Sequence, residues 1–296
     1  MIDLHVHTTN SDGDFTTEEI LKEAEENNIE ILSIADHNNI NAYDEIKKLP
    51  EIYTGKLVVG TELEFTNDGR LFDMLGYGFD PEKLKETEII KKGMIHSTIE
   101  GETKILNKLK EKCDRLGIIY ESNLTINNAY NMANDVLVDN ILSIKQNEDI
   151  LNEMGIHDRT SFYRQHFCNP ASPFYIDQTE GKYDVFYVCK VIHEAGGKTF
   201  LAHPFIYKLD NLEEFLDKLV SYGILDGIEC EHRKHTEEQI KWIEDYCDKN
   251  GLLKCGGSDK HTSKHYIGHS NENKREISKA LVEDWIYDII DIEVVR

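Results

Sequence analysis

The chain has 296 residues, of which 40% are hydrophobic and 30% charged, as in an ordinary globular protein. It has no apolar run of about 18 residues and no basic stretch followed by an apolar one at its start. We therefore expect no membrane span and no secretory signal, and a cytoplasmic location. The formal net charge of -23 argues against a nucleic-acid polymer as partner, because its phosphates would be repelled.

The six cysteines do not predict a thiolate zinc site. They are scattered along the chain, and none forms a CxxC pair. Without a secretory signal, we expect them to be reduced thiols that pack in the core. The thirteen histidines are numerous for this length, and their positions carry more information than their number.

The first 80 residues alternate between strand and helix signals. Ile2–Val6 is a short apolar run, and 30–35 is a second run of the kind found in strands covered on both faces. Thr16 and Glu19 form a capping-box pattern at the start of a helix. The Thr-Asn-Asp-Gly segment at 66–69 predicts a hairpin. The predicted strands are 2–6, 30–35, 57–65 and 71–79, and the predicted helices are 16–28 and 41–49.

Long helical stretches dominate from residue 81 to residue 183. We predict helices at 88–116 and 123–146, and a loop at 169–173, where two prolines interrupt the pattern. We therefore predict a mostly helical insertion domain at 81–183. It would divide a barrel domain into the parts 1–80 and 184–296.

Strand–helix alternation resumes after the insertion. The predicted strands are 199–202, 227–230 and 252–255, and the predicted helices are 185–195, 212–222, 236–250 and 278–290. Repeated strand–helix units imply a parallel sheet, and about seven of them favour a barrel. The predicted fold class is therefore α/β, with a seven-stranded (β/α)7 barrel and a helical insertion.

Histidines and carboxylates recur on or directly after the predicted strands. His5 and His7 lie two apart in the first strand, so their side chains point to one face. Any one of these residues alone is more often a turn, cap or packing residue than a ligand. As a set, they would converge at the carboxyl edge of a parallel barrel. The set consists of His5, His7, Asp12, His37, Glu62, Asp73, His203, Asp259 and His261.

Nine imidazole and carboxylate groups exceed the needs of a single metal ion, since a closed zinc site uses four ligands. The number favours two or three divalent ions that share bridging ligands. This donor set suits zinc, manganese or iron and does not select among them. Closely spaced ions generate hydroxide and clamp phosphoryl oxygens, so the pattern favours phosphoryl chemistry.

In these motifs the sequence resembles the PHP (polymerase and histidinol phosphatase) family. The resemblance spans 1–80 and 184–270 and rests on His5-Val6-His7, Asp12, Ala35-Asp36-His37, Glu62, Ala202-His203-Pro204 and Gly257-Ser258-Asp259-Lys260-His261. It implies a distorted seven-stranded barrel with up to three metal ions. One ion would be held by His5, His7, Glu62 and Asp259. A second would be held by Glu62, His203 and Asp73, and a third by Asp12, His37 and His261. The helical insertion resembles the branch of phosphoesterases that act on small nucleotides.

The chain departs from that family at Asp73, where the family usually has histidine. Aspartate can still bind a metal, and its oxygen would favour harder ions such as manganese. The alternative is that the shorter side chain does not reach, which would leave the second site weak or empty.

A second departure lies in the insertion. Where the nucleotide-acting branch usually carries an arginine and a histidine that hold the substrate phosphate, the stretch 132–137 has neither. The nucleotide preference of that branch is therefore not transferred to this chain. Arg159, Arg164 and His166 are substitutes, because arginine suits phosphate recognition, but ordinary surface charge explains them equally well.

His232 and Arg233 are the candidate catalytic residues, with contact to the metal ligands or to the substrate as the role expected for one of them. They follow a predicted strand, so they would face the metal ions. There Arg233 could neutralise phosphate charge and His232 could protonate the leaving oxygen, although metal-bound water could also do so.

The sequence therefore favours a metal-dependent phosphoesterase that hydrolyses a small phosphorylated metabolite, nucleotide-like or a sugar phosphate, with a metal-bridging hydroxide as nucleophile. One alternative is a metal-dependent hydrolase of a non-phosphate bond, since amidohydrolase barrels use similar ligands. Another is a non-catalytic sensor of metal or phosphate, which the departure at Asp73 makes conceivable. A nuclease acting on polymers is less favoured, given the acidic charge.

Overall fold

Two β-sheets and their helices form the larger of two units into which the chain divides. The computed structural model describes residues 1–96, 99–127, 132–177, 181–271 and 273–290. The first unit comprises Met1–Met94 with Lys182–Arg296, and the second comprises Ile95–Gly181. The insertion domain expected at 81–183 is wider than this second unit and stays a prediction.

The first sheet is parallel and contains β1 (Ile2–Val6), β2 (Ile31–Ile34) and β3 (Lys56–Leu57). Helix α1 (Thr17–Glu26) connects β1 to β2, and the predicted capping box between Thr16 and Glu19 is present. Its buried stripe, Ile20, Leu21 and Ala24, joins the main hydrophobic core. Helix α2 (Asn41–Ile46) follows β2.

The second sheet is mixed, because one of its strands runs against both neighbours. Its strands, in spatial order, are β4 (Gly60–Asn67), β5 (Arg70–Tyr77), β6 (Lys198–Leu201), β7 (Gly227–His232) and β8 (Leu253–Gly257). β5 is antiparallel to β4 and to β6, so the prediction of a purely parallel sheet is wrong here. The reason is the predicted hairpin: Asp68 and Gly69 both have positive φ, as a tight two-residue turn requires.

Single parallel bridges join the two sheets, at Val6–Lys260 and at His37–Glu62. Where β1 approaches β8, Gly257 is needed, because a Cβ there would lie 2.1 Å from the Cβ of His5. The predicted strand at 57–65 is divided between β3 and β4. The α/β class is therefore confirmed, whereas a closed seven-stranded barrel is not.

The other helices cover these sheets. They are α3 (Pro81–Lys85) and α4 (Glu88–His96) in the N-terminal part, and α9 (Val185–Glu194), α10 (Leu212–Ser221), α11 (Glu237–Asn250) and α12 (Tyr287–Ile290) in the C-terminal part. α9 packs on β4, β5 and β6, and α11 packs on β7 and β8. The predicted helix at 278–290 is wrong over most of its length, because a short 3₁₀ helix and turns precede α12. Two short strands, β9 (His269–Ser270) and β10 (Arg275–Glu276), form a separate pair.

The second unit is helical, with its own core of buried apolar side chains. It contains α5 (Ile99–Leu116), α6 (Ala133–Ser143), α7 (Glu148–Glu153) and α8 (Arg159–Phe162), followed by a π-helical turn at Tyr163–Phe167. The predicted helix at 123–146 is too long, since α6 begins at Ala133. The stretch predicted as one helix at 88–116 carries both α4 and α5.

No helix in the described ranges is long and apolar enough to cross a membrane.

Candidate metal centre

Four of the nine predicted ligands form a buried cluster between β1, β4 and β8. The Nε2 atom of His5 lies 3.1 Å from that of His7 and 3.1 Å from Oε2 of Glu62. The Nε2 atom of His7 lies 3.3 Å from Glu62 and 3.3 Å from Oδ1 of Asp259. These separations are typical of atoms that share one ion, since ligand atoms about 2.1 Å from a metal lie roughly 3 Å apart. We call this group the inner cluster.

The donor chemistry of the inner cluster fits a cation. Nδ1 of His5 lies 2.9 Å from Oε1 of the buried Glu229, so we assign the ring proton to Nδ1. The Nε2 lone pair of His5 then faces Glu62 and the ring of His7. Acceptor atoms that face each other at this distance repel unless a proton or a metal ion lies among them.

A second group lies around both oxygens of the Glu62 carboxylate. Oε1 of Glu62 lies 3.0 Å from Nε2 of His203, and its Oε2 lies 3.3 Å from Nδ1 of His37. Asp73 lies on β5 with a carboxylate oxygen 4.0 Å from Nε2 of His203, and it groups with His37 and Glu62 as a candidate ligand set. Asp73 therefore lies beside the residues that were expected to share its ion. Nδ1 of His37 is buried and has no hydrogen-bond partner in the described structure, as expected for an atom that could accept a metal.

A third group is more exposed. Asp12 lies 3.2 Å from Nε2 of His261, 3.5 Å from Nδ1 of His7 and 3.9 Å from Nε2 of His37. The exposed fractions of the side chains are 42% for Asp12, 32% for His37 and 19% for His261. Asp12, His37 and His261 form what we call the outer group. The structure thus brings all nine predicted residues together, each within 4.0 Å of another member.

Three residues of this site have a strained backbone conformation. Asn38, His203 and Asp259 have φ values of 47°, 26° and 49°, in the left-handed region that non-glycine residues seldom adopt. Each directly follows or is one of the candidate ligands. Strain of this kind persists where the surrounding contacts enforce it, and it is often found at functional sites.

Three buried carboxylates that were not predicted as site residues support the ligands. Glu229 on β7 faces His5 with Oε1 and accepts the backbone N–H of His203 at 2.7 Å with Oε2. Asp36 accepts hydrogen bonds from Thr8 and Ser11, and Asp3 accepts the N–H groups of His5, Ser258 and Gly268. The sequence contains a pattern that could have identified two of them. Asp3 and Glu229 are acidic residues inside apolar strands, where burial of an unpaired charge costs free energy.

His232 and Arg233 both contact Asp259. Nε2 of His232 lies 3.1 Å from Oδ2 of Asp259, and its Nδ1 accepts the N–H of Lys234 at 3.2 Å. The guanidinium of Arg233 donates to the same oxygen at 2.7 Å and to the carbonyl of Asp259 at 3.0 Å. Burial lowers the pKa of His232 to about 3, so its ring is neutral.

The electrostatic potential of the site favours the binding of positively charged groups. Burial alone would raise the pKa of Glu62, but the neighbouring His37 and His5 outweigh it and hold the pKa well below its usual range. Burial would lower the pKa of His261, yet Asp12 and Asp259 raise it to about 9. At Asp73, burial and the charge of Glu62 raise the pKa to about 6. Clustered carboxylates of this kind create a potential that attracts cations.

Two of the three phosphate-binding substitutes expected in the insertion have partners within their own unit. Arg159 forms ion pairs with Asp135 and Asp139. His166 contacts the carbonyl of Met154 and the hydroxyl of Ser172. The side chain of Arg164 lies outside the described part of the structure.

Comparison with known proteins places this chain among relatives of similar length. A 5'-3' exoribonuclease from Haemophilus influenzae is 24% identical over 264 residues, which cover 88% of this chain and 89% of the relative. A phosphoribosyl 1,2-cyclic phosphate 1,2-diphosphodiesterase from Eggerthella lenta is 27% identical over 261 residues, which cover 88% and 93%.

Two solved structures share the fold. An amidohydrolase from Chromobacterium violaceum, with bound sulfate and no metal, superposes with a TM-score of 0.68 at 20% identity and 95% coverage of both chains. A protein from Bifidobacterium adolescentis assigned as a metal-dependent phosphoesterase superposes with a TM-score of 0.67 at 22% identity, covering 97% of this chain and 94% of the other. At these identities the likeness concerns the fold alone.

The PHP domain model matches residues 3–291, which is nearly the whole chain and includes all nine clustered residues. The protein therefore belongs to the PHP domain family.

Proposed function

We propose that this protein hydrolyses a small phosphorylated metabolite, either nucleotide-like or a sugar phosphate. The enzyme class follows from the family: it is a metal-dependent hydrolase that acts on phosphate esters. The observation that supports the proposal is the continuous cluster of nine imidazole and carboxylate side chains around Glu62.

The charge of the cluster favours two to three divalent ions. It contains four carboxylates and five imidazoles, and neutral imidazoles are the metal-binding form. Two divalent cations would neutralise four carboxylates, and a third would leave a positive site that suits a phosphate anion. Manganese, zinc and iron all accept these ligands, and the carboxylate of Asp73 favours manganese at its position.

The protein side chains divide the work of binding and orientation. When bound, the ions supply Lewis acidity and activate water at neutral pH. His5, His7, Glu62 and Asp259 would hold one ion, with Glu62 shared by a second at His203 and Asp73. Glu229 fixes the orientation of His5, as the outer partners of metal-binding histidines commonly do.

The roles of His232 and Arg233 differ. Both ring nitrogens of His232 are engaged by Lys234 and Asp259, which favours orientation of Asp259 over proton delivery to a leaving group. Arg233 is 20% exposed beside Asp259, so we propose that its remaining N–H groups contact a bound phosphate.

We also propose that the two sheets represent one distorted seven-stranded barrel opened at two seams, in which β3 and β4 together form one interrupted strand. The single bridges at Val6–Lys260 and His37–Glu62 support this proposal, because they occur where closure would require pairing.

A substrate panel tests the proposed function. We would assay manganese-loaded protein on bis(p-nitrophenyl) phosphate, p-nitrophenyl phosphate, nucleoside phosphates and ribose phosphates, beside aryl amides and lactones. Hydrolysis of phosphate esters with no turnover of amides or lactones is the expected result. Turnover of the amides or lactones alone would identify the rival hydrolase, and tight phosphate binding without any turnover would identify a sensor.

Exoribonuclease activity is the second candidate, because the relative from Haemophilus influenzae carries that name. The net charge of -23 opposes a polyanionic substrate. Adding short single-stranded RNA to the substrate panel compares exoribonuclease activity with hydrolysis of small phosphate esters. We expect a higher kcat/KM for the small phosphates, and the reverse order would favour the nuclease.

A further inference from the structure

The aspartate that replaces the histidine expected on β5 has a dedicated partner in Tyr207. The hydroxyl oxygen of Tyr207 accepts the backbone N–H of Asp73 at 2.8 Å. The same hydroxyl donates to Oδ2 of Asp73 at 3.3 Å. One group therefore holds both the backbone and the side chain of Asp73.

Tyr207 is itself held firmly. Its carbonyl accepts a hydrogen bond from the guanidinium of Arg70 at 2.7 Å, and its ring lies edge-on to Phe72 with centroids 4.8 Å apart. It ends the 3₁₀ turn Pro204–Tyr207, which begins directly after His203. The ring centroids of His203 and Tyr207 are 5.4 Å apart, so one short turn places both residues against Asp73.

An aspartate at this position needs such a partner. Its side chain is shorter than that of histidine, so a small rotation would move the carboxylate away from Glu62 and His203. A carboxylate has about four lone-pair sites, so a hydrogen bond at Oδ2 leaves others for an ion. Second partners of this kind commonly orient carboxylate ligands and set metal affinity.

We infer that Tyr207 is a positioning residue that allows Asp73 to serve as a metal ligand in place of histidine. This inference rests on the proposed function, because it requires an ion held by Glu62, His203 and Asp73. Tyr207 would thereby compensate for the shorter side chain of Asp73.

Metal counting tests the inference without an activity assay. We would load wild type, Tyr207→Phe, Asp73→Ala and Tyr287→Phe with manganese, and measure the ions bound per chain and their dissociation constants. Tyr287 is the matched control, because its ring is 46% exposed on α12. We expect Asp73→Ala to lose one ion and Tyr207→Phe to bind that same ion about 10- to 100-fold more weakly. Tyr287→Phe should match wild type, and circular dichroism would verify that each variant is folded.

A double-mutant cycle separates positioning from a general structural role. In an Asp73→His background, the longer ligand should not need the hydroxyl, so Tyr207→Phe should have little further effect on affinity. An equal loss in both backgrounds would overturn the inference, as would wild-type affinity in Tyr207→Phe or an unchanged ion count in Asp73→Ala. If the ion counts behave as expected but no phosphate ester is hydrolysed, the proposed function fails and the inference stands.

Discussion

The inner cluster and the outer group use the same kinds of ligand but are built differently. His5, His7 and Glu62 are at most 1% exposed and lie on or next to strands, whereas Asp12 and His37 are 42% and 32% exposed. Glu229 contacts the ring of His5 in the inner cluster, and Asp3 accepts the backbone N–H of His5. Asp12, His37 and His261 instead lie on the segments that follow β1, β2 and β8.

This difference predicts a gradient of metal affinity across the site. Buried ligands with orienting partners are organised before an ion binds, so less ordering is required on binding. Exposed ligands on loops are better solvated and must be ordered by the ion. We therefore expect the ion of the inner cluster to be retained during purification and that of the outer group to exchange. The following variants test this gradient, from the largest expected effect to the smallest.

Glu62→Gln should have the largest effect, because Glu62 contacts both the inner cluster and His203 and His37. The amide keeps the shape but removes the charge that two ions would share. We expect phosphoesterase activity to fall below detection and at least one ion per chain to be lost, as measured by elemental analysis. Glu64→Gln, two residues further along β4 and paired with Lys182, is the matched control. Similar losses in both variants would argue against a special role for Glu62.

Gly257→Ala should disturb the inner cluster without changing any ligand. The added Cβ would lie 2.1 Å from the Cβ and 2.5 Å from the backbone nitrogen of His5, so β1 and β8 would have to separate. We expect a loss of roughly 1–3 kcal/mol in the free energy of unfolding, together with weaker binding of the tightest ion. Gly76→Ala is the control, since its new Cβ would meet the flexible end of Ile192 at 3.0 Å. Metal binding at wild-type strength in Gly257→Ala would show that the close approach of the strands is not required.

Glu229→Gln should weaken the inner ion while leaving its ligands in place. Glu229 accepts from His203 and faces the ring of His5, so the amide would lose charge and misdirect the imidazole. We expect affinity for the tightest ion to fall about 10- to 100-fold, measured by competition with a chelator. If the outer ion weakened instead, the assignment of Glu229 to the inner cluster would be wrong.

Asp12→Asn should have the smallest effect on bound metal. Asp12 is the most exposed ligand and lies against His261 and His37, outside the inner cluster. We expect the loosest ion to require more manganese for loading, with the tightest ion unaffected. Manganese titrations of stripped protein would resolve the two. A loss of the tightest ion would break the proposed gradient.

The sequence predicted which nine side chains would lie close together, because most of them are tied to a local signal. His5 and His7 alternate on a strand, His203 comes directly after an apolar run, and His37 and Asp259 follow within a few residues of one. Such patterns need no knowledge of distant contacts. Metal binding by these residues remains a proposal, although the structure brings them together.

The sequence could not predict features that depend on tertiary contacts. Glu229 is paired with His5, which lies 224 positions earlier in the chain, and Tyr207 is hydrogen-bonded to Asp73, which lies 134 positions earlier. The hairpin at 66–69 was predicted correctly. Such a hairpin makes β5 antiparallel to β4, which is not compatible with the parallel sheet predicted from the strand–helix alternation. The helices α6 and α12 begin later than predicted. The apolar periodicity of these segments is weak, so tertiary packing determines where each helix begins.

The most direct test of the account is hydrolysis of bis(p-nitrophenyl) phosphate by chelator-stripped protein as manganese is added back, with bound metal counted in parallel. We predict no hydrolysis by the stripped protein and recovery that follows the filling of two to three sites per chain. Hydrolysis that persists in protein shown to be free of metal would contradict the account. So would fully loaded protein that hydrolyses no phosphate ester.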